Sequence, residues 1–145
     1  MKRAWSTEGT HRRPRLLIVD DDGHSAELLG RLLRDEGFDT EVELTGTAAL
    51  DRLAHAPVFD ALITDFHVPG ADGLMIGTRA RASRAGIPIF VVTGDPHSVG
   101  ANLLLEDPVE VVTKPIDYHE LVRQLHDAVT HDPPTLGTSI EPLAS

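Results

Sequence analysis

Five polar residues of the kinds that handle phosphate stand directly behind short apolar runs. Asp20 and Asp21 follow Leu16-Leu17-Ile18-Val19, and Asp65 follows Ala61-Leu62-Ile63-Thr64. Thr93 follows Ile89-Phe90-Val91-Val92, and Lys114 follows the run 109–113. Carboxylates brought within a few ångströms of one another either raise each other's pKa or recruit a cation. An all-oxygen site of that kind suits a hard ion, with Mg²⁺ first among them because it takes few carboxylates and keeps several waters. A hydroxyl and a fixed ammonium added to such a cation would neutralise a transferred phosphoryl group. Lys114 is a specific choice in a chain with eleven Arg and only two Lys, since an ammonium acts as a compact point charge where a guanidinium imposes a wide planar fork. Each residue alone has a plainer reading, because an Asp at a strand end is often a cap or turn former. What sets the five apart is that all arrive at equivalent positions.

Equivalent positions require a particular scaffold. Apolar runs alternate with helical patterns along the chain, the signature of βα units on a parallel sheet. Leu28, Leu29, Leu32 and Leu33 recur at helical spacing, and Gly37 stands where a left-handed residue would end that helix. Residues 38–44 form a weaker, partly charged strand suited to a sheet edge, and Thr45 to Ala56 form a second helix through Ala49, Leu50 and Leu53, closed by Pro57. The segment Phe66-His67-Val68-Pro69-Gly70 reads as a loop. A third helix is expected over about residues 73–85, and a fourth over about 97–106 with Leu103, Leu104 and Leu105, broken by Gly100 and Pro108. A fifth strand is expected over 109–112. Asp117-x-x-Glu120 resembles a capping box that opens a last helix through Leu121, Leu125 and Val129. The expected fold is therefore α/β: a flavodoxin-like doubly wound (βα)5 domain whose five parallel strands lie in the order 2-1-3-4-5. In that order the crevice lies beyond the carboxyl ends of strands one and three, so Asp20, Asp21 and Asp65 would share it.

Composition limits the alternatives. A chain of 145 residues with 41% apolar side chains fits one domain with a real core. With no cysteine, disulfides, thiolate metal sites and cysteine nucleophiles are excluded. No stretch approaches the ~20 apolar residues of a membrane span, and no secretory signal is evident, which gives a cytoplasmic expectation with no membrane partner. Residues 1–14 read as a disordered basic N-terminal tail, 15–130 as the domain, and 131–145 as a disordered C-terminal tail. Residues 1–15 carry a net +4, leaving −14 on the remainder, a balance that repels nucleic acid. The patch Arg12-Arg13-Pro14-Arg15 is given no role. The eight histidines, at 11, 24, 55, 67, 97, 119, 126 and 131, match no zinc spacing, and His119 and His126 read as surface residues.

Leu-Leu-Ile-Val-Asp20-Asp21, Ile-Thr-Asp65 with Pro69 four residues on, Val-Val-Thr93-Gly94 and Thr-Lys114-Pro115 together resemble the receiver domain of bacterial response regulators, over about residues 15–130. The resemblance implies that Asp65 is the phosphoacceptor, and that Asp20, Asp21, Asp65 and the backbone carbonyl of His67 hold Mg²⁺. It also implies that Thr93 and Lys114 bind the phosphoryl oxygens, and that a cis peptide precedes Pro115. Two departures accompany it. Val111 stands where the family usually has Tyr or Phe, which puts the switch formed by Thr93 and position 111 in doubt, and Asp107-Pro108 replaces a common Gly-Ala. The implied function is a signalling phosphoacceptor in a two-component phosphorelay, not an enzyme. Its upstream partner would be a histidine kinase or histidine phosphotransfer protein and its downstream partner another protein, with no output domain expected after residue 130. The rival reading is a haloacid-dehalogenase-type phosphatase, on the strength of Asp20-x-Asp22-Gly23. There Asp20 would be the nucleophile and Asp22 the acid/base, but that family needs a further acidic motif downstream and leaves Asp65 idle. A nucleotide-binding module fails for want of a Gly-rich phosphate loop.

Overall fold

A computed structural model describes residues 12–55, 58–101 and 109–130 of the chain. Five parallel strands form one sheet: β1 (Arg15–Val19), β2 (Asp39–Glu43), β3 (Ala61–Asp65), β4 (Ile89–Thr93) and β5 (Glu110–Thr113). Their order across the sheet is β2-β1-β3-β4-β5, as the sequence pattern predicts. The helices are α1 (Gly23–Asp35), α2 (Gly46–His55), α3 (Gly73–Ser83), α4 (Pro96–Ala101) and α5 (Tyr118–Thr130). The expected extension of α4 through Leu103, Leu104 and Leu105, the breakers Pro57 and Pro108, and residues 1–11 and 131–145 lie outside the described residues.

Strand parity builds the layers. Leu16 and Ile18 of β1, Ala61 and Ile63 of β3, and Phe90 and Val92 of β4 pack on one face with Ala26, Leu29 and Leu33 of α1 and Leu121 and Leu125 of α5. Leu17, Val19, Leu62, Ile89 and Val91 point to the other face, against Ala49 and Leu53 of α2, Ile76 and Ala80 of α3, and Val99 of α4. Strands covered on both faces read as unbroken apolar runs, and truncating such a residue to Ala costs about 2–5 kcal/mol. The two outer strands differ from the centre. On β2, Glu41 and Glu43 are bridged by Arg52 of α2 at 2.6 and 2.7 Å, charged cover that protects an edge from pairing with another chain.

Local signals end the elements where the chain requires. At the end of α1, Gly37 has φ +104°. The Phe38 N–H donates to the Leu33 carbonyl and the Gly37 N–H to the Arg34 carbonyl, both at 3.1 Å, which is a Schellman cap. Thr45 caps α2 by accepting the Ala48 N–H at 3.0 Å, so the helix proper begins one residue later than the pattern suggested. The capping box of α5 is half realised: Asp117 accepts the Glu120 N–H at 3.2 Å, while the Glu120 side chain turns to Arg123 and Gln124.

Four sequence expectations need correction. Leu28 is 42% exposed, because the buried stripe of α1 runs through Ala26, Leu29, Gly30 and Leu33, and residue 28 is a hundred degrees off it. Helix α3 stops at Ser83, two residues short of the expected end, with Arg84 extended. The segment after Asp65 is more than a loop: His67–Val68 pairs antiparallel with Ala71–Asp72 around Pro69-Gly70, a ladder too short to leave a periodicity. Arg12, Arg13 and Pro14 are tied to the domain rather than trailing from it. The Arg12 guanidinium donates to Asp60 at 3.0 Å. That of Arg13 donates to the Arg34 and Phe38 carbonyls at 2.6 and 2.9 Å, and the Pro14 carbonyl accepts the Asp39 N–H at 2.8 Å. A guanidinium fork satisfies several acceptors at once, which a reading of local composition does not register.

Candidate functional site

The carboxyl ends of β1 and β3 are adjacent in the sheet, Val19 pairing with Thr64. The next residues, Asp20 and Asp65, therefore project into one crevice. Asp65 ends the central strand, with its backbone fixed on both sides: the Thr64 hydroxyl donates to the Asp65 carbonyl at 2.8 Å, and the Phe66 N–H donates to the Val92 carbonyl at 3.0 Å. Asp20 is half-buried and Asp21 exposed, while Asp65 is only 7% exposed. One carboxylate oxygen from each of the three lies within 4.8 Å of the others, close enough for a single octahedral hard cation to reach them, directly or through its waters. Among the described residues no other group of His, Cys, Asp and Glu is so gathered.

Lys114 follows β5 and sends its Nζ to 3.4 Å from Asp65 Oδ2, with its side chain half-exposed. Its backbone N–H donates to the Thr93 carbonyl at 2.9 Å, and the Lys114–Pro115 peptide is cis. Thr93 is 5% exposed at the end of β4, and its hydroxyl oxygen accepts the Asp95 N–H at 3.0 Å, leaving the hydroxyl proton available to an incoming acceptor. His67 opens the short hairpin two residues beyond Asp65, with its exposed ring edge-on to Phe66 at 4.6 Å. Val111 lies away from the crevice, in register with Val91 and 39% exposed.

One ammonium does not balance three carboxylates. Burial pushes the Asp65 carboxyl up to about 7; repulsion from Asp20 and contact with the Asp20 carboxyl add to the rise, and Lys114 opposes it. A carboxylate that holds its proton near neutrality because it is buried beside another carboxylate is one that a divalent cation would relieve. The donor set therefore fits Mg²⁺: hard oxygens, excess negative charge, and an open side for water and an anion.

Asp22 has a different task. It is the N-cap of α1, with its carboxylate accepting the His24 and Ser25 N–H groups and the Ser25 hydroxyl. The bonds from Ser25 hold its pKa below the usual carboxylate value, the opposite of what the acid/base of a phosphatase needs.

Sequence reasoning overlooked the glycines around this crevice. Gly73, eight residues after Asp65, opens α3 against the backbone behind it: a Cβ there would lie 2.8 Å from the Asp65 carbonyl oxygen and 3.1 Å from the Phe66 Cα. Its signal in the sequence is a glycine at a helix start, which reads equally well as punctuation.

Comparison with known proteins agrees with this geometry. The family described as "Response regulator receiver domain" matches residues 16–126. The DNA-binding response regulators MtrA of Mycolicibacterium paratuberculosis and Mycobacterium tuberculosis are 37% identical over 114 residues, 78% of this chain and 50% and 49% of theirs. A response regulator described as putative from Chloroflexus aurantiacus superposes with TM-score 0.71 at 31% identity, covering 82% of this chain and 99% of that one. The receiver domain of the hybrid histidine kinase CckA superposes with TM-score 0.67 at 28% identity, over 79% and 98%. The chain spans about half the length of the curated relatives it matches.

Proposed function

This chain belongs to the response-regulator receiver family, a phosphoacceptor signalling module rather than a turnover enzyme, and from that premise we propose that Asp65 is the residue that takes the phosphoryl group. The observation that carries this reading is the position of its carboxylate. It is buried at the end of the central strand, beside two other carboxylates and 3.4 Å from an ammonium. One oxygen of Asp65 forms the new bond to phosphorus as the bond from phosphorus to the donor breaks, and the donor leaves with the electron pair of that bond. Asp20, Asp21 and Asp65, with the His67 carbonyl, would hold Mg²⁺, which supplies positive charge to the phosphoryl oxygens when bound. Lys114 takes a second oxygen as a point charge, and the Thr93 hydroxyl donates to a third. We place the receiver unit at residues 15–130, with Arg12, Arg13 and Pro14 bound against its surface.

A histidine kinase or histidine phosphotransfer protein is the upstream donor in this reading, and the downstream partner is a protein docking on the modified domain. With −14 on residues 16–145, the domain itself is assigned no nucleic-acid contact. The phosphatase alternative has no supporting geometry, since Asp22 caps a helix and Asp65 would have no task.

Intact-protein mass spectrometry after incubation with a small phosphodonor and Mg²⁺ tests the assignment. Wild type is expected to gain one phosphoryl group, Asp65→Asn none, and chelation of Mg²⁺ to suppress the gain. Normal labelling of Asp65→Asn together with loss of labelling in Asp20→Asn would overturn it.

A further inference from the structure

We propose that Gly46, Gly70 and Gly73 are positioning residues for the metal: they clamp residues 66–72 between α2 and the backbone of Asp65, and so hold the segment bearing His67 at a fixed distance from the carboxylates. This rests on the reading above in one respect, that the His67 carbonyl is a metal ligand. The contacts form a closed circuit. The Phe66 carbonyl accepts the Gly73 N–H at 2.8 Å, closing the base of the segment, and the Pro69 carbonyl accepts the Gly46 N–H at 2.6 Å, tying its tip to the start of α2.

No side chain fits at any of the three points. A Cβ on Gly46 would lie 2.6 Å from the Ala71 nitrogen, 2.7 Å from the Ala71 Cβ and 2.9 Å from the Ala71 oxygen. A Cβ on Gly70 would meet Thr47 Oγ1 at 2.3 Å, on a residue whose φ of +93° already disfavours any L side chain. At Gly73 the obstruction is the backbone of Asp65 and Phe66 themselves. At Gly46 and Gly73 the obstruction is backbone, and at Gly70 the Thr47 nitrogen stands 3.1 Å away behind the hydroxyl, so a substitution at any of the three must move the hairpin, and the hairpin carries one proposed ligand. A backbone ligand has no rotamer with which to correct such a shift.

The test separates this role from ordinary stabilisation by comparing glycines. Gly37 and Gly86 also have positive φ, +104° and +79°, with nothing within 4 Å of a Cβ, so Gly37→Ala and Gly86→Ala strain the backbone far from the crevice. Mg²⁺ affinity is read from amide NMR shifts, and thermal stability is measured on the same samples. Gly70→Ala and Gly46→Ala are expected to weaken Mg²⁺ binding about tenfold, while Gly37→Ala and Gly86→Ala lower Tm and leave the affinity unchanged. Ala71→Gly in the Gly46→Ala background removes one of the three obstructions and is expected to recover part of the affinity. If Gly46→Ala does not fold, Gly70→Ala decides, since its closest obstruction is a side-chain hydroxyl and its backbone contact, the Thr47 nitrogen at 3.1 Å, is longer than those at Gly46. Wild-type Mg²⁺ affinity in Gly70→Ala, or an equal loss in Gly37→Ala, would overturn the clamp. If wild type binds Mg²⁺ but takes no label, the phosphoacceptor assignment fails while the metal titrations still judge the clamp.

Discussion

At the amino end of the sheet Asp60 accepts the Arg15 N–H at 2.7 Å and faces the guanidiniums of Arg12 at 3.0 Å and Arg84 at 3.1 Å. At the carboxyl end of β3 Asp65 has two carboxylate neighbours and one ammonium, at 3.4 Å. Of these two aspartates, the one just before β3 has a surplus of donors and the one at its end a deficit. A satisfied carboxylate joins chain segments distant in sequence and has no reason to bind anything more. A carboxylate left short of positive charge weakens the fold locally and gains from a cation, which is how binding sites come to be less stable than the scaffold around them.

The sharpest way to break this comparison is to remove each aspartate in turn. Asp60→Ala leaves the Arg15 N–H and two guanidiniums without their common acceptor, and is expected to cost about 2–3 kcal/mol in urea unfolding, with labelling at Asp65 retained in the folded fraction. A loss below about 0.5 kcal/mol would show that Asp60 is merely a surface charge.

Asp65→Asn should do the reverse. The Asp65 pKa is raised in the folded protein, from 3.8 to about 7, so between those values the folded state holds a proton that the unfolded state has released. Stability of the metal-free protein therefore falls as pH rises through that window, and the full cost stands above pH 7. Asp65→Asn is expected to stabilise the metal-free protein at pH 8 by on the order of 1 kcal/mol, allowing for the water-facing side of the site. The gain should shrink as pH falls and vanish only below about pH 3, where both states are protonated. Urea midpoints from about pH 3 to pH 8 check it. Equal stability of wild type and Asp65→Asn at pH 8 would mean that the crevice is not short of positive charge.

Much of this was legible in the sequence, and what was not shares a cause. Strands β1, β3 and β4 are buried on both faces and so leave unbroken apolar runs, and the residues after them fall at the reversal of strand order by topology alone. Asp20, Asp21, Asp65 and Lys114 could thus be brought together from their spacing. Asp60 could not, because its donors come from residues 12 and 15 on one side and residue 84 on the other, two segments that no local pattern connects. Residues 67–72 were invisible for a different reason: two-residue strands are too short for alternation to register. Leu28 misled because four leucines within six positions cannot all share one helical stripe, and composition does not say which one faces out.

A smaller effect sharpens the metal half of the comparison. Asp21 is exposed and contributes charge more than structure, so Asp21→Ala is expected to keep the fold and weaken Mg²⁺ binding about tenfold or more. Because a bound cation must displace the proton from Asp65, wild-type Mg²⁺ affinity should also drop as pH falls below 7. A Mg²⁺ titration of thermal stability at pH 8 and pH 6 reads both, and an unchanged titration in Asp21→Ala would remove that residue from the pocket.

The smallest expected effect lies at Val111, and it concerns how far the carboxyl end communicates. Phosphorylation adds about −1.5 to −2 charges next to Thr93, and Thr93 is in register with Thr113 of β5. A signal leaving the crevice toward α4, β5 and α5 therefore passes the strand that holds Val111. An aromatic side chain there could exchange an exposed for a buried rotamer as Thr93 moves, but valine is short and stiff about χ1 and has little to exchange. A modification shifts populations only by its unequal interaction with two states, and at residue 111 the two states differ little. A beryllofluoride-type phosphate mimic with Mg²⁺ is thus expected to move amide NMR shifts mainly in the loops after β1, β3 and β4, with smaller changes over residues 109–125. Val111→Tyr should enlarge the response of 109–125 while leaving the changes around Asp65 as they are. Concerted wild-type shifts across 109–125 as large as those beside Asp65 would show that another contact along β5 carries the signal without an aromatic lever.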